Sequence, residues 1–440
     1  MTIGIDAMAF DVAKIHLPIK TLADVRGIEA GKLEKGLGLL KMTLPDAHQD
    51  TVVFGANALT KLFSQNHIEP KNIARIYVGT ESSIDSSKPI ASFLISLMEQ
   101  QFGDNSFGHC DAVDFTFACI GGVDALQNCL DFIRLNPDKT AIVVCSDIAK
   151  YDLNSTGEYT QGAGAVAMLV SANPKIIAFT NETGIDIKGV FDFFKPYRTI
   201  PKSEITDNDS WFGNLEAEIE IHKDQPVFDG QYSNQCYTDR TRSAYGRFKD
   251  LKGTTENLLN SWHSIIMHLP YAFQGRRMLP EIYALETGQT DIPDLKAIAK
   301  SAEYVDFVTQ KLQPAEKASS LIGNLYTGSI FMGLLSTLCH FYETDGKISG
   351  TTFGFMAYGS GSKAKVFEGT IQPEWKTSIS KVRLFETFGQ SHEIDFKTYE
   401  KLHKKAQKQS ILSPKSEWVL DHIEKENPNL LGARYYKWIP

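Results

Sequence analysis

Cys119 ends the run Asp114–Ala118 and is followed by Ile120, Gly121, Gly122 and then an amphipathic stretch. A thiol where a strand turns into a helix faces unpaired backbone N–H groups and the positive end of the helix dipole. That setting favours the thiolate, a good nucleophile and a good leaving group. The two glycines let a substrate come close to the backbone. Glu81 ends the run Ala74–Thr80 inside Gly79–Ser83. A carboxylate where the carboxyl end of a strand opens onto a crevice can serve as a general base. His268 closes the run Ser264–His268, with Pro270 two residues on to restrict the loop. Each residue also has a plainer reading: a buried cysteine at a tight junction, a first-turn or N-cap carboxylate, a satisfied core histidine.

Positioning such groups takes regular elements, and the apolar pattern supplies them. Short β-branched runs at Ile3–Phe10, Ala74–Gly79, Ala141–Ser146, Ala163–Val170, Ser264–His268 and Thr352–Tyr358 predict strands. Helical spacing of apolar residues predicts helices over Asp50–Gln65, Ile90–Gln101 and Gly122–Arg134. Strands alternating with helices predict an α/β chain with a largely parallel sheet. Gln161–Gly164 and Tyr358–Gly361 read as two glycine turns, each followed by an apolar run, which hints at duplication of one module. The polar stretches 195–260 and 280–320 read as insertions. From about 372 the chain is polar; Lys401–Lys408 reads as a solvated helix face and Leu430–Pro440 is aromatic.

Taken together, the segments resemble hydroxymethylglutaryl-CoA synthase, a family of thiolase-fold condensing enzymes. The resemblance spans residues 1–370. It rests on Gly79–Ser83, Ala118–Gly122, Gln161–Val166, Phe228–Ser233, His268–Tyr271, Gly323–Ser329 and Tyr358–Gly361. It implies an α/β, thiolase-like fold: a duplicated α/β module with layered helices and mixed sheets. The implied division is an N-terminal half over 1–172 carrying the nucleophile, a C-terminal half over 173–371 with insertions, and an extension over 372–440 packed on the core.

The resemblance also assigns roles. Cys119 takes acetyl from acetyl-CoA as a thioester, Glu81 removes a proton from the acetyl methyl, and His268 anchors acetoacetyl-CoA and polarises its ketone. Asn324, Ser360, Gly359, Tyr326 and Arg277 fall at substrate-binding positions, with the Ser360 and Cys119 N–H groups as oxyanion donors. The implied product is 3-hydroxy-3-methylglutaryl-CoA, made as a precursor of mevalonate and isoprenoids. CoA thioesters are the substrates, no cofactor is implied, and a homodimer is. Where the family often carries lysines five and nine residues after this histidine, the chain has Phe273 and Arg277, with Arg276 alongside. A relative that acts on an acyl carrier protein in polyketide β-branching is therefore the alternative. A ketoacyl synthase would use histidine and asparagine without a carboxylate base. A non-catalytic thiolase-fold binding protein would be expected to lack Cys119 or Glu81.

Composition bounds the remainder. The 440 residues are 42% hydrophobic and 11% aromatic, which excludes disorder as the main state. A net charge of −8 argues against nucleic acid as the main partner. No apolar run reaches the ~18 residues a spanning helix needs, and the N-terminus has an acid where a signal peptide would be basic. A cytoplasmic protein without membrane or nucleic-acid partners is expected. Six cysteines are too few for a disulfide scaffold, and no pair stands two residues apart. Eleven histidines without ligand spacing leave no metal site expected.

Overall fold

The computed structural model describes residues 1–205, 218–289 and 294–440. Ten strands form one sheet. They are β1 (Ile3–Val12), β2 (Ile73–Gly79), β3 (Asp111–Phe115), β4 (Thr140–Ala149), β5 (Gly162–Ala172), β6 (Ile177–Phe179), β7 (Gly184–Ile187), β8 (Ser264–Met267), β9 (Thr352–Gly359) and β10 (Lys363–Ile371). The order across the sheet is β8-β9-β10-β6-β1-β5-β4-β2-β3, with β7 paired beside β10. β1, β4 and β5 are buried along most of their length. Strands covered on both faces read as continuous apolar runs rather than alternating ones, which is how they stand out in the sequence.

The sheet is mixed, not largely parallel. Only β2 with β3 and β4, and β8 with β9, run parallel. The reason is the connections: β4 to β5 and β9 to β10 are joined without a crossover helix, and such neighbours must be antiparallel. Each half nevertheless repeats one order. In the first, β1 lies beside β5, β5 beside β4, and β4 runs parallel to β2. In the second, β6 lies beside β10, β10 beside β9, and β9 runs parallel to β8. The two glycine segments do not share a role in this repeat. Tyr358–Gly361 enters the tight β9–β10 turn, whereas Gly162 already pairs with Ala149 inside the β5 ladder.

Six helices matter for the site: α1 (Thr51–Asn66), α2 (Ile90–Phe102), α3 (Gly121–Leu135), α4 (Gly230–Lys252), α5 (Gln313–Ile322) and α6 (Ser329–Glu343). The Asp50 carboxylate caps α1 by accepting from Val53 N–H at 3.1 Å. α6 is buried continuously from Ser329 to Cys339; a helix apolar all round belongs inside. Together with α3 it fills the central core between the two halves, while α1 and α2 cover the far face of the first half. α4 packs on β7, β9 and β10, and α5 packs on α6. The stretches 195–260 and 280–320 are therefore not merely insertions, because each supplies a helix of the core layers; 206–217 and 290–293 lie outside the described residues. α4 escapes notice in the sequence because its mean composition is polar and only a narrow stripe, including Tyr237, Ala244 and Phe248, is buried. In the tail, Glu417–Ile423 and Arg434–Ile439 form a hairpin against α1, and the helix Phe396–His403 buries Tyr399.

Candidate active site

Glu81, Cys119 and His268 all lie just past the carboxyl ends of strands in parallel pairs. The β2 and α3 backbones touch: a Cβ on Gly79 would sit 2.4 Å from Gly122 Cα. Only glycine at 79 allows the Glu81 turn and the Cys119 turn to meet. Thr80 N–H donates to Phe115 O at 3.1 Å, and Thr80 Oγ1 donates to Ser146 O at 2.9 Å, tying the end of β2 to both neighbours. The β9–β10 turn closes from the other half, since a Cβ on Gly359 would stand 2.6 Å from Phe117 O. Ala118 (φ 41°) and Tyr326 (φ 43°) are both held in the left-handed region. Such strain is worth on the order of 1–3 kcal/mol per residue and persists only where the surroundings enforce it.

Cys119 Sγ donates to Glu81 Oε1 at 3.0 Å. Burial first, and the Glu81 charge second, push the Cys119 thiol well above its ordinary range. The resting nucleophile is thus a protonated thiol with a carboxylate in line to take its proton, not the standing thiolate the helix end would favour. α3 starts at Gly121 with Ile120 as its cap, so Cys119 lies outside the helix. The helix-end field contributes about 0.3–1 kcal/mol, whereas full burial can move a group by about 3–5 pKa units at roughly 1.4 kcal/mol each. Burial wins.

His268 follows β8, its N–H donating to Met356 O at 3.2 Å and its carbonyl accepting from Tyr237 Oη at 2.6 Å. The Tyr237 ring stacks on Tyr358 at 4.3 Å, and Tyr358 Oη donates to Asp192 Oδ2 at 2.6 Å. Burial alone lowers the imidazole to about 3, so it is neutral at any ordinary pH. Its Nδ1 is buried without a partner; a buried polar atom left unpaired costs about 1–3 kcal/mol and is what a ligand oxygen would satisfy.

Cys119, His268, Asn324, Tyr326, Ser360 and Arg277 line one cavity of about 220 Å³. Its inner wall is aromatic: Tyr151, Phe193, Phe228 and Tyr326 cluster with Cys119, ring centroids 5.7–6.4 Å apart. Glu81 stands behind the sulfur rather than on the open wall. Asn324 Oδ1 accepts from Tyr326 N–H and from Ser329 Oγ, both at 2.8 Å, and so orients the Tyr326 turn. Gly359 contributes its backbone to the packing, and Arg277 is exposed beside Tyr271. Phe273 is not on this cavity. It packs beside Gly38 under the Arg276 guanidinium, 3.7 Å from its ring, and Arg276 is paired with Glu316. Of the three residues near the expected phosphate positions, Arg277 alone faces the cavity. Among the described residues, no group of three or more His, Cys, Asp or Glu side chains is arranged to hold a metal ion.

Two neighbours of Glu81 carry little signal in the sequence. Asp147 is fully buried and accepts from Thr80 Oγ1 (3.0 Å), Glu81 N–H (2.9 Å), Thr327 N–H (3.0 Å) and Thr327 Oγ1. Burial, then the Glu81 charge, raises its carboxyl to about 6. An acid inside the apolar strand β4 is the one cue that could have found it. Lys195 reaches Glu81 from a polar stretch that offers no cue at all.

Two family models match the chain: hydroxymethylglutaryl-coenzyme A synthase N terminal over residues 1–175, and its C terminal over residues 281–416. The hydroxymethylglutaryl-CoA synthase of Enterococcus faecalis is 31% identical, covering 91% of both chains. That of Haloferax volcanii is 29% identical over 95% of this chain and 96% of its own. Among solved structures, MvaS in complex with 3-hydroxy-3-methylglutaryl coenzyme A superposes with a TM-score of 0.84 at 27% identity, covering 100% of this chain and 99% of that one. The curacin biosynthetic pathway HMG synthase in complex with acetyl donor-ACP superposes at 0.81 over the whole of both chains; at 20% identity it shows the fold alone.

Proposed function

The chain belongs to the hydroxymethylglutaryl-CoA synthase family, and from that premise we propose that it is an acyltransferase condensing acetyl-CoA with acetoacetyl-CoA to 3-hydroxy-3-methylglutaryl-CoA, a precursor of mevalonate and isoprenoids. The observation that carries this reading is the Cys119–Glu81 hydrogen bond beside a cavity whose wall includes a neutral His268 with its Nδ1 unpartnered.

The Cys119 proton passes to Glu81 as sulfur attacks the acetyl carbonyl, and CoA leaves with that proton as its thiol. Glu81, ionised again, takes a proton from the methyl of acetyl-Cys119, and the enolate carbon adds to the ketone of acetoacetyl-CoA. His268, neutral, donates to the ketone oxygen, which ends as the tertiary hydroxyl with the proton Glu81 carried. Water then splits the thioester, releasing the carboxylate product and restoring the thiol. The thioester oxygens meet the N–H groups of Cys119 and Ser360. CoA thioesters enter as substrates, and these steps call for no cofactor.

A carrier-protein substrate is the second reading. It is favoured by Phe273 facing away from the cavity and by the Arg276–Glu316 pair, which leave Arg277 as the one cation of these three for CoA phosphates. Product analysis with acetyl-CoA plus either acetoacetyl-CoA or acetoacetyl-carrier protein decides between them. Turnover of the CoA substrate equal to or better than the carrier's supports the first reading, and turnover of the carrier alone rejects it.

A homodimer joined along β3 fits this reading. Among the described residues β3 ends the sheet with one edge unpaired, and Val113 is 39% exposed on it. A mass measured in solution at the monomer value would refute it. Six unpaired cysteines suit a reducing, cytoplasmic setting. Among the described residues no helix is long and apolar enough to cross a membrane.

A further inference from the structure

Lys195 approaches the site from behind. Its Nζ donates to the Glu81 carbonyl at 3.0 Å, stands 3.6 Å from Glu81 Oε2, and lies 4.5 Å from the centroid of the Tyr326 ring. Both side chains are largely shielded, 10% exposed for lysine and 6% for glutamate. The segment that carries it is held on both sides. Asp192 accepts from Tyr358 Oη and from Gly361 N–H, while Phe193 and Phe194 pair with Phe228 and Val227. The two Glu81 oxygens are therefore divided between partners: Oε1 receives the Cys119 thiol, and Oε2 faces the ammonium.

The negative charges of this site have little solvent to share. Glu81 and the buried Asp147 are neighbours, joined through Glu81 N–H, and deprotonating Cys119 would place another charge between them and the cavity. Lys195 is among the influences that lower the Cys119 pKa, and burial and Glu81 oppose it. A cation fixed on the far oxygen offsets that crowding, and it keeps the near oxygen aimed at sulfur.

Resting on the reading of Glu81 as the base, we propose that Lys195 is a positioning residue for it, a fixed counter-charge on which both proton abstractions depend: the thiol proton before acetyl transfer and the methyl proton before carbon–carbon bond formation. Lys195 is not on the wall of the Cys119 cavity, so its loss should act on rates and leave substrate affinity nearly alone.

The test compares wild type with Lys195→Met, Lys195→Gln and Lys195→Arg in the full-length protein. Rapid-quench mass spectrometry gives the rate of Cys119 acetylation by acetyl-CoA, and methyl-proton exchange of the acetyl-enzyme in D2O gives the second abstraction. Steady-state kinetics separate kcat from KM. In Lys195→Met both rates should fall on the order of 10²-fold, the lower end of what a positioned base contributes, with KM for acetyl-CoA within about threefold of wild type. Lys195→Arg should recover most of the loss, because its guanidinium keeps the charge. Lys195→Gln keeps a donor for the Glu81 carbonyl without the charge, and it should behave as methionine does; it also serves should the methionine variant not fold. Rates at wild-type level in methionine or glutamine variants overturn the proposal. So does an arginine variant that loses as much as methionine, since that would mark a packing role. If wild type itself makes no hydroxymethylglutaryl-CoA from the two CoA substrates, the failure lies with the assigned reaction instead.

Discussion

Glu81 meets two protons in one turnover, and its removal should show both. Glu81→Ala takes away the acceptor for the Cys119 thiol, and it also takes away a charge that raises that thiol's pKa. The effects oppose each other in acetyl transfer, so Cys119 should still acetylate, slowly, as intact-protein mass spectrometry would show. Condensation has no such compensation and should fall by about 10⁴-fold or more. Glu81→Asp should recover part of it, the carboxylate being withdrawn by one methylene. Near-normal condensation by the alanine variant would put the base elsewhere. His268 permits a prediction of another kind. Its folded pKa, about 3, lies below the ordinary 6.5, so the unfolded chain binds this proton more readily than the folded one does. The stability associated with neutral His268 is fully present above ~6.5 and drains away as pH falls toward ~3, at up to about 1.4 kcal/mol per pH unit. Urea denaturation of His268→Gln should show a shallower acid slope across that window, alongside normal acetylation and impaired condensation. An unchanged slope would mean that His268 protonates freely in the folded state.

Strand ends bring these residues together, and Asp147 is the tie. It collects donors from Thr80, Glu81 and Thr327, joining β2, β4 and the turn before α6. In Asp147→Asn an amide group must face donors that the second carboxylate oxygen now serves. Each donor left unsatisfied costs about 1–3 kcal/mol. The melting temperature should drop and kcat should fall with it, because the Glu81 turn loses its anchor; an unaltered melting curve would contradict the geometry. Phe273 illustrates how placement overrides spacing. Counting residues from His268 puts it where a CoA-facing lysine would be, yet the helix beginning at Gln274 turns it toward Gly38 and Arg276. Phe273→Lys should therefore leave the KM for CoA substrates unchanged at low and at high salt, while lowering stability through lost packing. A salt-sensitive fall in KM would show that the side chain reaches the phosphates.

Across the whole molecule, the tail beyond 372 is built into the body: its first helices pack on β1, α5 and α6, and its end packs on the first half. Trp418 is fully buried against α1, its backbone N–H donating to Asn57 Oδ1 at 2.7 Å and its indole N–H to Thr60 Oγ1 at 3.1 Å. Tyr399 Oη donates to Glu158 and accepts from Gln161, at the entrance to β5, and Arg26 clamps the same glutamate through two nitrogens. Trp418→Ala should cost about 3–5 kcal/mol, the range for emptying an aromatic site in a core, read as a shift of the denaturation midpoint. A loss below about 1 kcal/mol would mean the hairpin is dispensable to the fold.

Core strands such as β1 and β4 were legible because burial on both faces demands unbroken apolar runs. Cys119, Glu81 and His268 were conspicuous as polar side chains at the edges of such runs, and their roles came from the family resemblance rather than from position. Three things were decided only by tertiary structure. The direction of the sheet depends on how β4 connects to β5 and β9 to β10, which local propensity does not encode. The state of Cys119 depends on burial, which outweighs the helix end it was read from. And the surroundings of Glu81, with Asp147 on one side and Lys195 on the other, are assembled from residues 66 and 114 positions away in the chain; no window on the sequence brings charges that distant into one field.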